Sequence, residues 1–151
     1  MSRSTVSSVD AGQIYLELHH QLHRIVDQAM CSAGLSLARA KVLMWLDSHG
    51  PMNQATLAGL LGFAPRSVTE TVDGLERDGL VTRTDDPHDR RARIVALTAP
   101  GREALEAAMT VRSKTMNEIF GVLSTAERAQ LVSLLTTIRT NLVQGETDCG
   151  N

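Results

Sequence analysis

The stretch NQATLAGLLGFAPRSVTETVDGLERDGLVTRTDDPHDRRARIVALTAPGR, from Asn53 to Arg102, decides the fold. Asn53 can cap a short helix that carries Leu57, Ala58, Leu60 and Leu61. Gly62-Phe63-Ala64 reads as a turn. Pro65 then stands where proline is best tolerated, in the first turn of a helix. That helix places Val68, Val72 and Leu75 inward and ends at Asp78-Gly79. Gly74 inside it costs about 1 kcal/mol against alanine, so packing has to hold the helix. Leu80–Thr84 and Arg93–Leu97 read as two short strands joined by a polar, charged tip. The order is short helix, turn, helix, hairpin.

Outward from this stretch the pattern is helical. Asp10 reads as the N-cap of a first helix, with Gln13 as its reciprocal partner and Val9 and Ile14 as a hydrophobic staple. Ile14, Leu18, Leu22, Ile25 and Ala29 form its apolar face, and Gly34 suits a left-handed stop. Ser36 caps a second helix with Leu37, Ala40, Leu43, Met44 and Asp47 on one side, which stops at His49-Gly50-Pro51. Thr98 caps a long helix from Ala99 to about Val122, with Pro100 in its first turn. Ser124-Thr125-Ala126-Glu127 is a full capping box. It opens a last helix with Leu131, Leu134, Leu135, Ile138 and Leu142 on one face. The expected fold is mainly α with a small β-hairpin wing, one domain over residues 1–151. Helices 10–33 and 99–143 flank a winged helix-turn-helix lobe at 36–98, with flexible ends at 1–9 and 144–151. The wide apolar stripes of the flanking helices need a partner, and a second copy of the chain is the economical one.

Composition bounds the alternatives. The chain has 151 residues, 42% hydrophobic, with a formal net charge of −2. It is too apolar for disorder and long enough for a proper core. Aromatics are 3%, so the core rests on Leu, Val, Ile, Ala and Met, a mixture that favours helices. Two distant cysteines, Cys31 and Cys149, are no disulfide framework and no metal spacing, which fits a reducing, cytoplasmic setting. The Ser-rich start has no apolar run for a signal peptide. The longest run without charge, Ser48–Pro65, holds Gly, Pro, Asn and Gln and is no membrane span. A Gly-rich phosphate loop, a nucleophile elbow and a spaced acid/base pair are all missing from the sequence. The expectation is a protein that is not an enzyme, needs no cofactor and does not engage a membrane.

The global charge gives no sign of nucleic acid, so the case is local. Helix, turn, helix and hairpin form a winged helix-turn-helix, whose second helix enters the major groove N-terminus first. Its residues Arg66, Ser67, Thr69, Glu70 and Asp73 are read as outward. Arg66 can grip a guanine edge with two hydrogen bonds, and Ser67 and Thr69 are short donors. Glu70 can accept from a cytosine amine or orient a neighbouring arginine. The wing tip carries Asp89, Arg90, Arg91 and Arg93, and arginine on a hairpin tip suits a narrow minor groove. A solvated tip held by its own ion pairs would use the same residues.

Here the sequence resembles the MarR family of bacterial transcription regulators. The wing stretch Asp86-Pro87-His88-Asp89-Arg90-Arg91 and the following Leu97-Thr98-Ala99-Pro100-Gly101-Arg102 carry the resemblance most specifically. Leu57-Ala58, Leu61-Gly62, Val68-Thr69, Val72-Asp73, Leu75-Glu76 and Gly79-Leu80-Val81 match in register upstream. The resemblance implies a homodimer on an inverted-repeat operator in double-stranded DNA, usually a repressor, often released by a small phenolic, aromatic or anionic ligand. It makes Arg91 the wing arginine of the minor groove and Asp89 its positioning partner, and sets Arg66, Ser67 and Thr69 at positions that meet DNA. Two departures stand out. Ala64 replaces a capping Ser or Thr, and Glu70 and Asp73 make the recognition helix acidic, which leaves the base contacts open.

Three sensing routes are open. His19 and His23, at i and i+4, with the lone indole Trp45, could line a ligand cleft. They equally suit a solvated or interfacial histidine pair and a core tryptophan. His19, His20 and His23 supply too few ligands for a metal site. Cys31 offers a redox-responsive alternative, although a small buried thiol is the simpler reading. A winged helix used only for protein contacts is the remaining alternative to DNA binding.

Overall fold

Short polar side chains start the helices, and most do so where the sequence puts them. The computed structural model describes residues 6–148, with side chains as far as Gln144. Cys149, and residues 1–5 and 149–151 of the ends expected to be free at 1–9 and 144–151, lie outside the described residues; Ser8 and Val9 belong to α1 and 144–148 to α6. Helix α1 spans Ser8–Ser32, α2 Leu37–His49, α3 Gln54–Leu61, α4 Pro65–Arg77, α5 Ala99–Phe120 and α6 Thr125–Asp148. Ser36 caps α2, Asn53 caps α3 and Thr98 accepts from the Gly101 amide at the start of α5. Ser124 and Glu127 close the capping box of α6. Ala64 gives α4 no side-chain cap, so Pro65 alone presets its first turn.

The start of α1 corrects the sequence reading. Ser7, not Asp10, is the N-cap, and Asp10 is the reciprocal partner three residues on. The Ser7 hydroxyl accepts from the Asp10 amide at 3.1 Å, and the Asp10 carboxylate accepts from the Ser7 amide at 3.0 Å. A carboxylate inside the first turn also meets the positive end of the helix dipole. Those bonds hold the Asp10 carboxyl below its ordinary range. Val9 therefore lies within the helix and is no staple residue. At the other end α6 continues to Asp148, past the last residue of its apolar stripe.

The sheet has three strands, in the order β1-β3-β2, all antiparallel. Strands β2 (Val81–Asp85) and β3 (Arg93–Leu97) form the expected hairpin, from Val81 opposite Leu97 to Asp85 opposite Arg93. Strand β1 is only Met52–Asn53, paired with Val95 and Ile94. Two residues carry no periodicity, so it had no signal in the sequence.

The described chain divides into two units between Ser113 and Lys114, within α5. In the first, Leu43, Leu57, Val68, Val72, Leu75, Val81 and Val95 are fully buried and form the core of the lobe. Each such side chain contributes about 1.5–3 kcal/mol by leaving water. This burial offsets Gly74 in α4. Gly79, with φ 72°, turns the chain from α4 into β2. In α1 only Val26 and Met30 are buried, and every residue from Val6 to Gln21 is exposed. The Asp27 carboxylate of α1 accepts from the Leu37 amide at 2.8 Å, a second cap for α2 from another helix. In the second unit no described residue is buried, and Val132, Leu134, Leu135, Ile138 and Leu142 are exposed. Among the described residues no single helix is long and apolar enough to cross a membrane.

Candidate nucleic-acid interface

Helix α4 buries Val68, Val72 and Leu75, so the positions between them face outward at its N-terminal end. Arg66 is wide open, with 90% of its side chain exposed. Its Nε donates to Glu70 Oε1 at 3.0 Å, one helical turn on. An exposed i,i+4 pair adds only about 0.3–0.5 kcal/mol, so its effect is orientation. With Nε engaged, both terminal nitrogens of Arg66 remain for a two-bond contact. Glu70 therefore takes the arginine-orienting role. Ser67 and Thr69 are also exposed.

Asp73 is a correction. The sequence placed it outward, yet its Oδ1 accepts from Arg83 Nη2 at 2.5 Å. Arg83, on β2, keeps only 18% of its side chain exposed. It also donates to Glu76 from Nε at 3.0 Å and from Nη2 at 2.7 Å, and to Gln54 Oε1 from Nη1 at 3.1 Å. One guanidinium thus ties β2 to α4 and to the first residue of α3. The hydrogen bond from Arg83 holds the Glu76 carboxyl below its ordinary value of 4.5, against a smaller desolvation effect. The same bond, more than that of Asp73, raises the Arg83 pKa. Two acidic side chains of α4 are therefore paired within the fold, sharing the one positive charge of Arg83.

The wing tip is shaped by aspartates acting on the main chain. Asp86 Oδ1 accepts from the His88 amide at 2.8 Å, and Asp89 Oδ1 accepts from the Arg91 amide at 2.9 Å. Asp89 thus fixes the turn that presents Arg91, and does not hold its guanidinium as a side-chain partner. Arg93 pairs with Asp85 at 3.3 Å at the root of the tip. Arg90 and Arg91 are exposed, and no carboxylate lies within ion-pair distance of either among the described residues.

The residues read as lining a ligand cleft are not brought together as one group. His19 and His23 are exposed neighbours on α1, with ring centroids 6.4 Å apart, and Tyr15 stacks on His19 at 6.0 Å. Trp45 on α2 stacks instead on His49 at 4.4 Å, and the His49 ring nitrogen Nδ1 lies 3.2 Å from the Trp45 carbonyl. None of the three lines the open groove of about 400 Å³ between α2 and α4, whose walls include Arg39, Ser67, Glu70 and Arg77. Cys31 is exposed, which corrects its reading as a buried thiol. Its place in the last turn of α1 puts it beyond the face that carries Val26 and Met30. Among the described residues no group of three or more His, Cys, Asp or Glu could hold a metal ion.

Sequence reasoning missed Arg83 and Gln54. A signal existed for Arg83. It lies two residues from the buried Val81 on a strand, so both side chains point to the same face. That face meets α4, where Asp73 and Glu76 are one turn apart. Gln54 gave no such signal, because it is the first residue of a short helix.

These elements make a winged helix-turn-helix lobe, with α3 and α4 as the two helices and β2–β3 as the wing. The family model described as the MarR family matches residues 35–92, from just before α2 through β2 and the wing tip. The uncharacterized HTH-type transcriptional regulator YdgJ of Bacillus subtilis is 30% identical over 109 residues. That match covers 72% of this chain and 66% of YdgJ, just under two thirds of its length. The crystal structure of a MarR-family transcriptional regulator from Rhodococcus sp. RHA1 superimposes with a TM-score of 0.73 at 27% identity, covering 91% of this chain and 96% of that one. BpsR of Bordetella bronchiseptica, whose DNA binding is regulated by 6-hydroxynicotinic acid, gives a TM-score of 0.71 at 25% identity, over 85% of this chain and 98% of that one. Residues 35–92 are a lobe of the MarR family, and the chain has the fold of that family's transcriptional regulators.

Proposed function

We propose that the protein is a sequence-specific DNA-binding regulator, a repressor, that binds a palindromic operator as a homodimer and is released by a small aromatic or anionic ligand. The observation that carries this is the wing. Asp86 and Asp89 each accept from a main-chain amide, and among the described residues neither pairs with Arg90 or Arg91, which project without an ion-pair partner. A solvated tip held by its own ion pairs would pair them. Arginine so presented suits the narrow minor groove, while Arg66 on α4 suits a guanine edge in the adjacent major groove. Two copies would place their α4 helices about 34–36 Å apart, in successive major grooves. The membership of regulators in the same family supports the reading, and the aromatic acid that acts on BpsR supports the effector class. Nothing in this function asks for a metal or organic cofactor or for bond-making chemistry.

Gel-shift titration of wild type and Arg91→Ala against genomic fragments tests it. Wild type should bind a subset of fragments, with affinity falling steeply as salt rises, because phosphate contacts release counterions. Arg91→Ala should weaken binding at least tenfold while leaving the circular dichroism spectrum and the dimer intact. Wild-type binding that ignores salt, or a variant that binds as wild type does, sinks the wing assignment.

A further inference from the structure

Side-chain hydrogen bonds behind α4 run in one direction only, and the direction has a consequence for what α4 can read. Arg83 has donors and no acceptor, so the atom of Gln54 that it touches must be the amide oxygen. That contact fixes the flip of the amide and turns Nε2, which can only donate, toward Thr69. Nε2 donates to Thr69 Oγ1 at 3.2 Å. The Thr69 hydroxyl therefore accepts there and sends its own hydrogen to the Pro65 carbonyl, 3.1 Å away. Thr69 is left with one free lone pair and its methyl group, and with no hydrogen to give. The sequence reading made it a donor, and the chain of bonds removes that option.

We infer that Gln54, held by Arg83, is a specificity-positioning residue that sets Thr69 to read an A·T base pair. This rests on the proposed insertion of α4 into the major groove. An acceptor and a methyl group complement what A·T shows there, the adenine N6 amine and the thymine methyl. The cytosine N4 amine could also meet the acceptor, but a G·C pair has no methyl group for that of Thr69 and its guanine O6 and N7 are acceptors, so the methyl contact carries the choice. Neither Gln54 nor Arg83 needs to touch a base for this. Each of the three elements involved supplies one member of the relay: β2 the anchor, α3 the amide and α4 the reader.

The test is selection of duplexes from a random-sequence pool by full-length wild type, Gln54→Leu, Gln54→Glu and Thr69→Ala. Wild type should enrich a palindrome with A·T at one position per half-site. Gln54→Glu keeps a partner for Arg83 yet cannot donate, so it frees the Thr69 lone pair and competes for its hydrogen. It and Gln54→Leu should cut the preference at that position about fivefold or more, with affinity for a duplex lacking the palindrome unchanged. Thr69→Ala should lose the same preference, and Gln54→Leu with Thr69→Ala no more than either alone, because the two act as one unit. A merely structural Gln54 would lower melting temperature and affinity for all duplexes alike, which overturns the inference. So does an enriched palindrome whose preferences survive both Gln54→Leu and Thr69→Ala, or a G·C pair at the position they affect. Should Gln54→Leu fail to fold, Gln54→Glu together with Thr69→Ala decides. Failure of wild type to enrich any sequence overturns the DNA-binding function itself, and is distinct from these outcomes.

Discussion

Two glycines, both inside helices, differ in what surrounds them, and the difference predicts opposite effects. A Cβ on Gly101, in the first turn of α5, would stand 2.0 Å from the Leu80 carbonyl oxygen and 2.8 Å from the Leu97 side chain. The same carbonyl accepts from the Thr98 amide at 3.2 Å, so it cannot withdraw without breaking that bond. Gly101→Ala should destabilise by about 1–3 kcal/mol. A Cβ on Gly74 meets nothing within 4 Å, and the backbone there is ordinary helix. Gly74→Ala should stabilise by about 0.5–1 kcal/mol. Urea unfolding followed by circular dichroism checks both, and a shared sign would show the packing argument to be wrong. The sequence displayed the cost of Gly74 and was silent on Gly101, because a close approach between segments leaves no trace in local pattern. Asp73 teaches the same lesson. Helical spacing set it beside the outward residues, and only its strand partner Arg83 reveals where the carboxylate goes.

Caps and periodicity made most elements legible at their own scale. Asn53, Ser36, Thr98 and the Ser124–Glu127 box begin helices as read, and Val68, Val72 and Leu75 are buried as read. One boundary slipped where local signals competed. Ser7-x-x-Asp10 and Asp10-x-x-Gln13 are rival caps, and the first won. On α2, Val42 is buried although it stood outside the set Leu37, Ala40, Leu43, Met44 and Asp47, because residues on several of its sides are apolar and it packs against more than one neighbour. What ties the elements together was the least legible, and its tie is ionic. Arg83 pins α4 to β2 through Glu76 and Asp73. The folded Glu76 carboxyl titrates below its ordinary 4.5, so the unfolded chain takes up its proton first as pH falls. Its contribution is therefore complete above about pH 4.5 and is lost as pH drops through the folded value. Thermal melts between pH 7 and pH 3 should show wild type losing stability on acidification more steeply than Glu76→Gln below that point. Parallel curves would mean that the pair adds nothing to the lobe.

At the scale of the whole molecule, the second unit poses a problem that one copy does not solve. Helix α6 leaves Val132, Leu134, Leu135, Ile138 and Leu142 exposed, and none of its described residues is buried. Helix α1 likewise exposes Ile14, Tyr15, Leu16 and Leu18. Ordinary monomers seldom expose apolar residues in such runs, and burial of each is worth about 1.5–3 kcal/mol. A second copy covers such faces symmetrically and would bring two lobes onto one operator. Ile138, 56% exposed on the middle of α6, is the informative position. Ile138→Glu should convert a dimer to a monomer by analytical ultracentrifugation, since a carboxylate in an apolar interface costs more than the isoleucine contributed. The lobe has its own core and should stay folded, so near-native helicity should accompany the loss of mass. Operator affinity should then fall far more than affinity for unrelated DNA, because only specific binding requires both half-sites at fixed spacing. A variant that sediments as wild type places the interface elsewhere, whereas a monomer that still holds the operator tightly would remove dimerisation from the mechanism.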